Sequence, residues 1–139
     1  MAGFQLFNFT HQLLELSTRV RSARHEVLSA NIANADTPGY RPKDLDFQSV
    51  MQSAVESNAD AIARGSEALP RGPLDVRSMV YEPEYPDNRH GEDRLDKNSV
   101  SIDRQMSLLT ENSLAYEASL TLLSRALAGL RYVIGEGRR

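Results

Sequence analysis

The chain has 139 residues, of which 40% are hydrophobic and 25% are charged, and its net charge is -3. This length fits a single domain, and the absence of a basic excess argues against a dedicated nucleic-acid-binding protein. The sequence contains no cysteine, which excludes a disulfide framework, a thiolate metal site and a thiol nucleophile.

The N-terminal segment, residues 1–40, begins without the basic stretch and long apolar run of a secretory signal peptide, and no later stretch is apolar enough to cross a membrane. We therefore expect a soluble protein made in the cytoplasm. The first 37 residues also lack proline, which would disrupt a helix interior.

Apolar side chains in this segment recur at alternating steps of three and four, which predicts a long helix of the coiled-coil type. The positions concerned, called the N-terminal seam below, are Leu6, Phe9, Leu13, Leu16, Val20, Ala23, Val27, Ala30 and Asn34. A second apolar series at seven-residue spacings runs beside the seam and predicts a second interface; it comprises Phe7, Leu14, Leu28 and Ala35.

The first helix is predicted to end at a turn that contains Pro38 and Gly39. Pro38 pushes Thr37 out of the helical region, and Pro-Gly suits the two central positions of a type II turn, in which Gly39 takes a positive φ. Asn34 has two interpretations. It caps the end of the helix, or it is a buried seam residue that fixes the register of the helix pair. Its proximity to the turn favours the cap.

The middle of the chain, residues 41–98, predicts an arm rather than a second core. Residues 45–56 could form a short helix with one apolar side made of Phe47, Val50, Met51 and Ala54. From Gly65 to Lys97 the chain is rich in proline, glycine and charge, so we expect an extended, mostly irregular segment that lies on other parts of the molecule. Within it, Val76 to Tyr81 could pair as a short strand.

The C-terminal segment, residues 99–139, predicts a second long helix, because it lacks proline and repeats the same spacing. Its predicted seam comprises Ile102, Met106, Leu109, Ser113, Tyr116, Leu120, Leu123, Leu127, Leu130 and Ile134, and its second series comprises Leu108, Ala115 and Leu122. The two seams are expected to pair. The predicted fold is all-α: an elongated antiparallel coiled-coil hairpin of the N- and C-terminal helices with an extended central arm, together forming one domain.

No constellation of residues predicts a catalytic, cofactor-binding or metal site. His11, His25 and His90 are too dispersed to supply the three or four converging ligands of a metal site. A local basic group, Arg19, Arg21 and Arg24, lies near Glu15 and Glu26. We interpret it as forming surface or intersubunit salt bridges, since phosphate binding needs a broader positive face.

The residues that close the first helix carry a family resemblance. Ala30, Asn31, Asn34, Thr37, Gly39 and Tyr40, with Pro38 among them, match the pattern Ala-Asn-x-x-Asn-x-x-Thr-x-Gly-Tyr. This pattern resembles the signature of the flagellar rod, hook and hook-associated proteins. The following residues from Lys43 to Phe47 and both ends of the last helix are similar to proximal rod members of that family.

The resemblance implies a structural subunit, not an enzyme, without cofactor, nucleic acid or small-molecule substrate. It implies polymerisation through the terminal helices into a tube that transmits torque and surrounds the export channel. The implied partners are copies of the chain itself, other rod subunits, the adaptor protein FliE, and the membrane ring or export gate at the rod base. The implied location is the basal-body rod in the periplasmic space, reached by export without a cleaved signal.

Two alternatives stay open at this point. Export substrates of this class resemble one another in a Phe-x-x-x-apolar element, which Phe9 to Leu13 fits; the seam explains both residues equally well, and we favour the seam. The second alternative is a soluble coiled-coil adaptor or export chaperone that closes as a small oligomer. Such a protein would not need the turn signature.

Overall fold

The computed structural model describes residues 2–64, 76–84 and 100–136. In chain order its elements are α1 (Ala2–Ala33), β1 (Asp44–Leu45), α2 (Phe47–Arg64), α3 (Val76–Met79), β2 (Val80–Tyr81) and α4 (Ile102–Glu136). The two strands form an antiparallel ribbon in which Asp44 is opposite Tyr81 and Leu45 is opposite Val80. Helices dominate the described chain, which confirms the all-α prediction.

The two long helices, α1 and α4, lie against each other in antiparallel orientation. They contain 32 and 35 residues, so each is roughly 50 Å long at about 1.5 Å per residue. Two cross-links fix the orientation: Ser17 meets Ser119, and Asn31 meets Gln105. The hairpin therefore brings the N-terminal half of α1 beside the C-terminal half of α4.

The helix predicted within the arm is longer than expected. Asp46 caps its start, because the Asp46 carboxylate accepts the backbone N–H of Ser49 at 2.9 Å. The helix then runs to Arg64 rather than residue 56, since neither proline nor glycine interrupts the sequence before Gly65. The predicted strand at Val76–Tyr81 is mostly helix: its first four residues form α3 and only the last two form β2.

The apolar core lies between α1, α2 and the ribbon. Its buried members are Leu16, Val20, Ala23, Leu45 and Ala54, and the half-buried side chains packed around them are Leu13, Phe47, Val50, Met51 and Met79. The apolar side predicted for the arm helix is thus the side that meets α1. Because burying a side chain of this size contributes about 1.5–3 kcal/mol, this cluster stabilises the docking of the arm onto α1.

The contact between α1 and α4 involves only part of the predicted C-terminal seam. The buried α4 side chains are polar, namely Gln105, Asn112 and Ser119, whereas Met106, Leu120 and Leu127 are 51%, 40% and 45% exposed. Half-buried seam residues flank the contact: Leu109, Tyr116, Leu123 and Leu130. The prediction assumed that the most apolar face must pack within the chain. The polar face of α4 instead meets hydrogen-bond partners on α1.

The remaining seam positions differ in how deeply their side chains are buried. In α1, Leu16 and Val20 are buried, Phe9, Leu13 and Val27 are half-buried, and Ala30 is exposed. The side chains of Leu6 and Ile134 lie outside the described residues. The second series needs a correction at Leu28, which is 0% exposed within the single chain and so cannot face a neighbour. Leu14 and Leu108 are half-buried, and Leu122 is 52% exposed.

Candidate functional site

The turn after α1 has the predicted geometry. The Tyr40 backbone N–H donates to the Thr37 carbonyl at 3.2 Å, which closes a four-residue turn with Pro38 and Gly39 at its centre. Gly39 has a φ of 72°, as a type II turn requires at its third residue. Both Pro38 and Gly39 are exposed, so the role of this pair is to set the direction in which the chain leaves the helix.

Asn34 is the cap of α1. Its Nδ2 donates to the Ala30 carbonyl at 2.8 Å, and its Oδ1 lies 3.4 Å from the Thr37 hydroxyl. The side chain is only half-buried. The cap interpretation is confirmed, and the alternative of a buried seam residue does not apply to Asn34.

Asn31 is the centre of the site. It is 0% exposed, and its amide uses every hydrogen-bonding position. Nδ2 donates to the Lys43 carbonyl at 2.6 Å and to Gln105 Oε1 at 2.9 Å. Oδ1 accepts the Lys43 N–H at 2.9 Å and the Tyr40 hydroxyl at 3.1 Å. One side chain therefore joins the end of α1, the strand after the turn and the start of α4.

The motif match named Asn31, but the sequence interpretation gave it no separate role. A signal for its burial was present, because Asn31 lies three residues after Leu28 and four before Ala35, and all three share one face of the helix. Burial also raises the pKa of the Tyr40 phenol above its ordinary value. The shift favours the neutral form of the hydroxyl that donates to Asn31.

A second link holds β1 on α1. Arg24 donates from Nε and Nη2 to the two carboxylate oxygens of Asp44, each at 2.7 Å. Asp44 is 4% exposed, and its Oδ1 also accepts the Leu45 N–H at 2.7 Å. The hydrogen bond to Asp44 raises the pKa of Arg24, against the opposing effect of burial. This bidentate ion pair fixes both the distance and the orientation of β1 relative to α1.

Arg21 contributes through its planar face. Its guanidinium lies 4.0 Å from the centre of the Phe47 ring, an arrangement that attracts a cation to an aromatic face. Burial and then the neighbouring charge of Arg24 lower the pKa of Arg21, while Glu111 opposes the shift. The interpretation of this basic group as surface or intersubunit salt bridges is therefore corrected at Arg21 and Arg24, whose contacts lie within the chain.

Two adjoining stripes of α4 differ sharply in character. The polar line, defined as Gln105, Asn112 and Ser119, is buried against α1. The apolar flank, defined as Ile102, Met106, Leu120 and Leu127, is 40–51% exposed. At about 100° per residue the four flank residues fall within about 60° of one another, so they share one side of α4. They form two groups, Ile102 with Met106 and Leu120 with Leu127, about 21 Å apart along the helix axis.

The described part of the chain offers little else that could serve as a chemical site. Within residues 2–64, 76–84 and 100–136, no group of three or more histidine, aspartate or glutamate side chains is arranged to hold a metal ion. His90 and most of the acidic residues between positions 82 and 96 lie outside the described residues. Among the described helices, none is long and apolar enough to cross a membrane.

A pair of long antiparallel helices, with a well-defined turn at the end of α1 and an uncovered apolar flank on α4, defines a class: elongated helical proteins. Comparison with known proteins identifies the family within that class. The family model described as "Flagella basal body rod protein" matches residues 21–41, the part of α1 and the turn that holds Arg24, Asn31 and Tyr40.

The chain is similar to complete rod proteins over most of its length. It is 35% identical to the flagellar basal body rod protein FlgB of Escherichia coli K12, with 85% of this chain and 87% of that protein covered. It is 35% identical to FlgB of Yersinia ruckeri over 85% and 88%, and 31% identical to FlgB of Proteus mirabilis HI4320 over 94% of each. The chain belongs to the FlgB family of flagellar basal body rod proteins. This confirms the resemblance seen in the closing turn, and the family is one of structural subunits.

Proposed function

We propose that the chain is a subunit of the proximal rod that polymerises by docking the apolar flank of α4 onto a neighbouring subunit. The observation that carries the proposal is the exposure of Ile102, Met106, Leu120 and Leu127 on one side of α4, in a chain that belongs to a rod family. The assembled tube surrounds the export channel and transmits torque.

The size of the flank supports a cooperative assembly. Fully burying an apolar side chain contributes about 1.5–3 kcal/mol, so covering the exposed half of these four side chains would contribute roughly 3–6 kcal/mol to association. Association costs at least about 4 kcal/mol in lost freedom of motion. A single contact is therefore marginal, and a subunit is held firmly only where the growing tube presents several neighbours at once.

The finer partners follow from the family resemblance. Within the proposal, the rod base meets FliE and the membrane ring or export gate, and the chain reaches the rod by flagellar export without a cleaved signal. Phe9 and Leu13 are the candidate export element. Leu13 packs against the apolar core of the folded chain, so an export apparatus could read this element only before α1 docks.

Incorporation into basal bodies tests the proposal. Leu120→Asp places a charge on the flank, where burial without a partner costs several kcal/mol, and should abolish both incorporation and swimming. Ser107→Asp is the matched control, because Ser107 is exposed on the same helix and lies about 140° around the axis from Leu120. Immunoblots of purified basal bodies and of the exported fraction separate assembly from export. Normal incorporation of Leu120→Asp would contradict the proposal.

The test also addresses the small closed oligomer. A chaperone or adaptor would use the same flank to form a discrete dimer or tetramer that Leu120→Asp dissociates in solution. Sedimentation of the purified chain at micromolar concentration distinguishes the two. A stable closed oligomer that is absent from basal bodies would favour the adaptor.

A further inference from the structure

The packing of α4 inverts the usual distribution of side chains. The α4 side chains buried against α1 are polar: two amides, Gln105 and Asn112, and one hydroxyl, Ser119, at seven-residue spacings. Leucine and methionine side chains beside them remain exposed. Gln105 and Asn112 are both 1% exposed, yet each satisfies only part of its amide. Within the described residues, Gln105 Nε2 and Asn112 Oδ1 have no hydrogen-bond partner.

Stability alone does not account for this arrangement. A buried polar atom without a partner is unfavourable, and an apolar side chain of similar size would pack there without that penalty. In coiled coils, a buried polar residue at a heptad position is a recognised way to select one register and one arrangement at the expense of stability. The polar line has the spacing and the burial of such a device.

We propose that the polar line fixes the rotation and register of α4 against α1, and so keeps the apolar flank turned outward. Each member has a specific partner on α1. Gln105 accepts from Asn31 at 2.9 Å, Asn112 Nδ2 donates to the Arg21 carbonyl at 2.9 Å, and the Ser119 hydroxyl lies 3.3 Å from that of Ser17. The three contacts lie along the length of the helix pair.

A slip by one heptad breaks this match. If α4 moved so that each residue took the place of the one seven before it, Asn112 would replace Gln105 and Ala126 would replace Ser119. The shorter Asn112 amide would have to reach Asn31, and Ser17 would face a methyl group. The buried amide of Asn31 would then lack its fitted acceptor, since its other partners belong to the turn and the strand after it.

A rotation of α4 is the more consequential alternative. Turning the helix by roughly 80° would bring Leu120 and Leu127 onto α1 and would form the apolar seam that the sequence pattern suggests. That arrangement would bury more apolar surface within one chain and would hide the flank from a neighbour. In our proposal, the hydrogen bonds of the polar line to α1 favour the observed setting over the rotated one. The effect of hiding the flank on assembly rests on the proposed function, whereas the proposal that the polar line sets α4 on α1 does not.

Disulfide trapping in the purified full chain measures the setting directly, because the sequence has no cysteine of its own. Three pairs report three states: Ser17→Cys with Ser119→Cys for the observed setting, Ser17→Cys with Ala126→Cys for a one-heptad slip, and Ser17→Cys with Leu120→Cys for the rotation. The slipped pair lies about 10 Å farther along the axis, beyond disulfide reach. In the otherwise unchanged chain we expect the first pair to close fastest.

Each pair is then combined with Asn112→Leu, with Asn112→Ala, or with the control Thr110→Leu on an exposed part of the same helix. Loss of one fitted buried hydrogen bond should lower the ratio of observed to alternative cross-links by about tenfold. Thr110→Leu should leave the ratio unchanged. Asn112→Ala adds no bulk, so it decides the matter if the leucine variant fails to fold.

Two results would overturn the proposal. One is that both Asn112 variants close the observed pair as selectively as Thr110→Leu does. The other is that the observed pair fails to close in the otherwise unchanged chain, which would mean that the helices do not take this setting. Incorporation into basal bodies, measured on the same variants, is a separate readout. Normal incorporation alongside scrambled cross-links would contradict the role of the outward flank and leave the helix-setting role standing.

Discussion

Replacing Asn31 by alanine should unfold the hairpin at markedly lower denaturant concentration. The change removes four hydrogen bonds, made to Tyr40, Lys43 and Gln105. Of these partners only Gln105 is fully buried, so its Oε1 would be left without a partner at a cost of about 1–3 kcal/mol. The two bonds to the Lys43 backbone and the bond to the Tyr40 hydroxyl are part-buried, so water can replace them, and the loss of each bond costs about 0.5–1 kcal/mol.

Bonds within one network are not additive, so the expected total is a decrease of about 2–4 kcal/mol in the free energy of unfolding. Urea unfolding followed by circular dichroism at 222 nm measures it. Asn34→Ala is the matched control, since it removes the same amide three residues later in the same motif, where the side chain is half-exposed and bonds its own helix. That control should lose only about 0.5–1 kcal/mol.

The comparison can fail clearly. Equal losses for Asn31→Ala and Asn34→Ala would show that Asn31 does not join the turn, the arm and α4 in the folded chain. A double-mutant cycle with Gln105→Ala sharpens the test. The two side chains should couple by about 1 kcal/mol or more, and additive losses would refute the bond between them.

Three further predictions concern the same region. Arg24→Ala should lower the free energy of unfolding by about 2–4 kcal/mol, because it leaves the carboxylate of Asp44 buried with little compensation. The double variant with Asp44→Ala should lose less than the sum of the two single changes, and additive losses would refute the pairing. Gly39→Val should cost about 1–3 kcal/mol in the same urea assay. No atom lies within 4 Å of an added Cβ, so the effect is backbone strain; Gly39→Asn should be milder, and equal losses for the two would refute the argument. Burial raises the pKa values of Tyr40 and Tyr81 above the ordinary tyrosine value of about 10. These two tyrosines therefore contribute stability below about pH 10, and this contribution should be lost as the pH rises through their higher folded-state pKa values. Absorbance at 295 nm should show that a fraction of the tyrosines ionises at higher pH than the rest, and this fraction should disappear when Tyr40 and Tyr81 are both replaced by phenylalanine. Its persistence in that variant would contradict the assignment of the raised pKa values to these two residues.

The local features of the fold could be predicted from the sequence. Proline-free heptads define where α1 and α4 run, and Pro-Gly chemistry predicts the turn and the positive φ of Gly39. The apolar side of the arm helix around Phe47 could also be predicted, because it depends only on spacing within one element. These features are fixed by residues that are neighbours along the chain.

The setting of α4 could not be predicted in the same way. Periodicity shows that Leu120 and Leu127 share a face, but it does not say whether that face meets α1 or another molecule. The assignment depends on Asn112 finding the Arg21 carbonyl across the hairpin, 91 residues away in sequence. The pairing of Arg24 with Asp44 likewise depends on the path of the chain after the turn. Such contacts become visible only when the elements are assembled.

Electron cryomicroscopy of isolated basal bodies, at a resolution that shows side chains, tests the central claim most directly. The account predicts this chain at the proximal end of the rod, with α4 set on α1 through Asn112 and with Met106, Leu120 and Leu127 buried against an adjacent subunit. A rod in which these three side chains pack onto the α1 of their own chain, or face open solvent in every subunit, would contradict it.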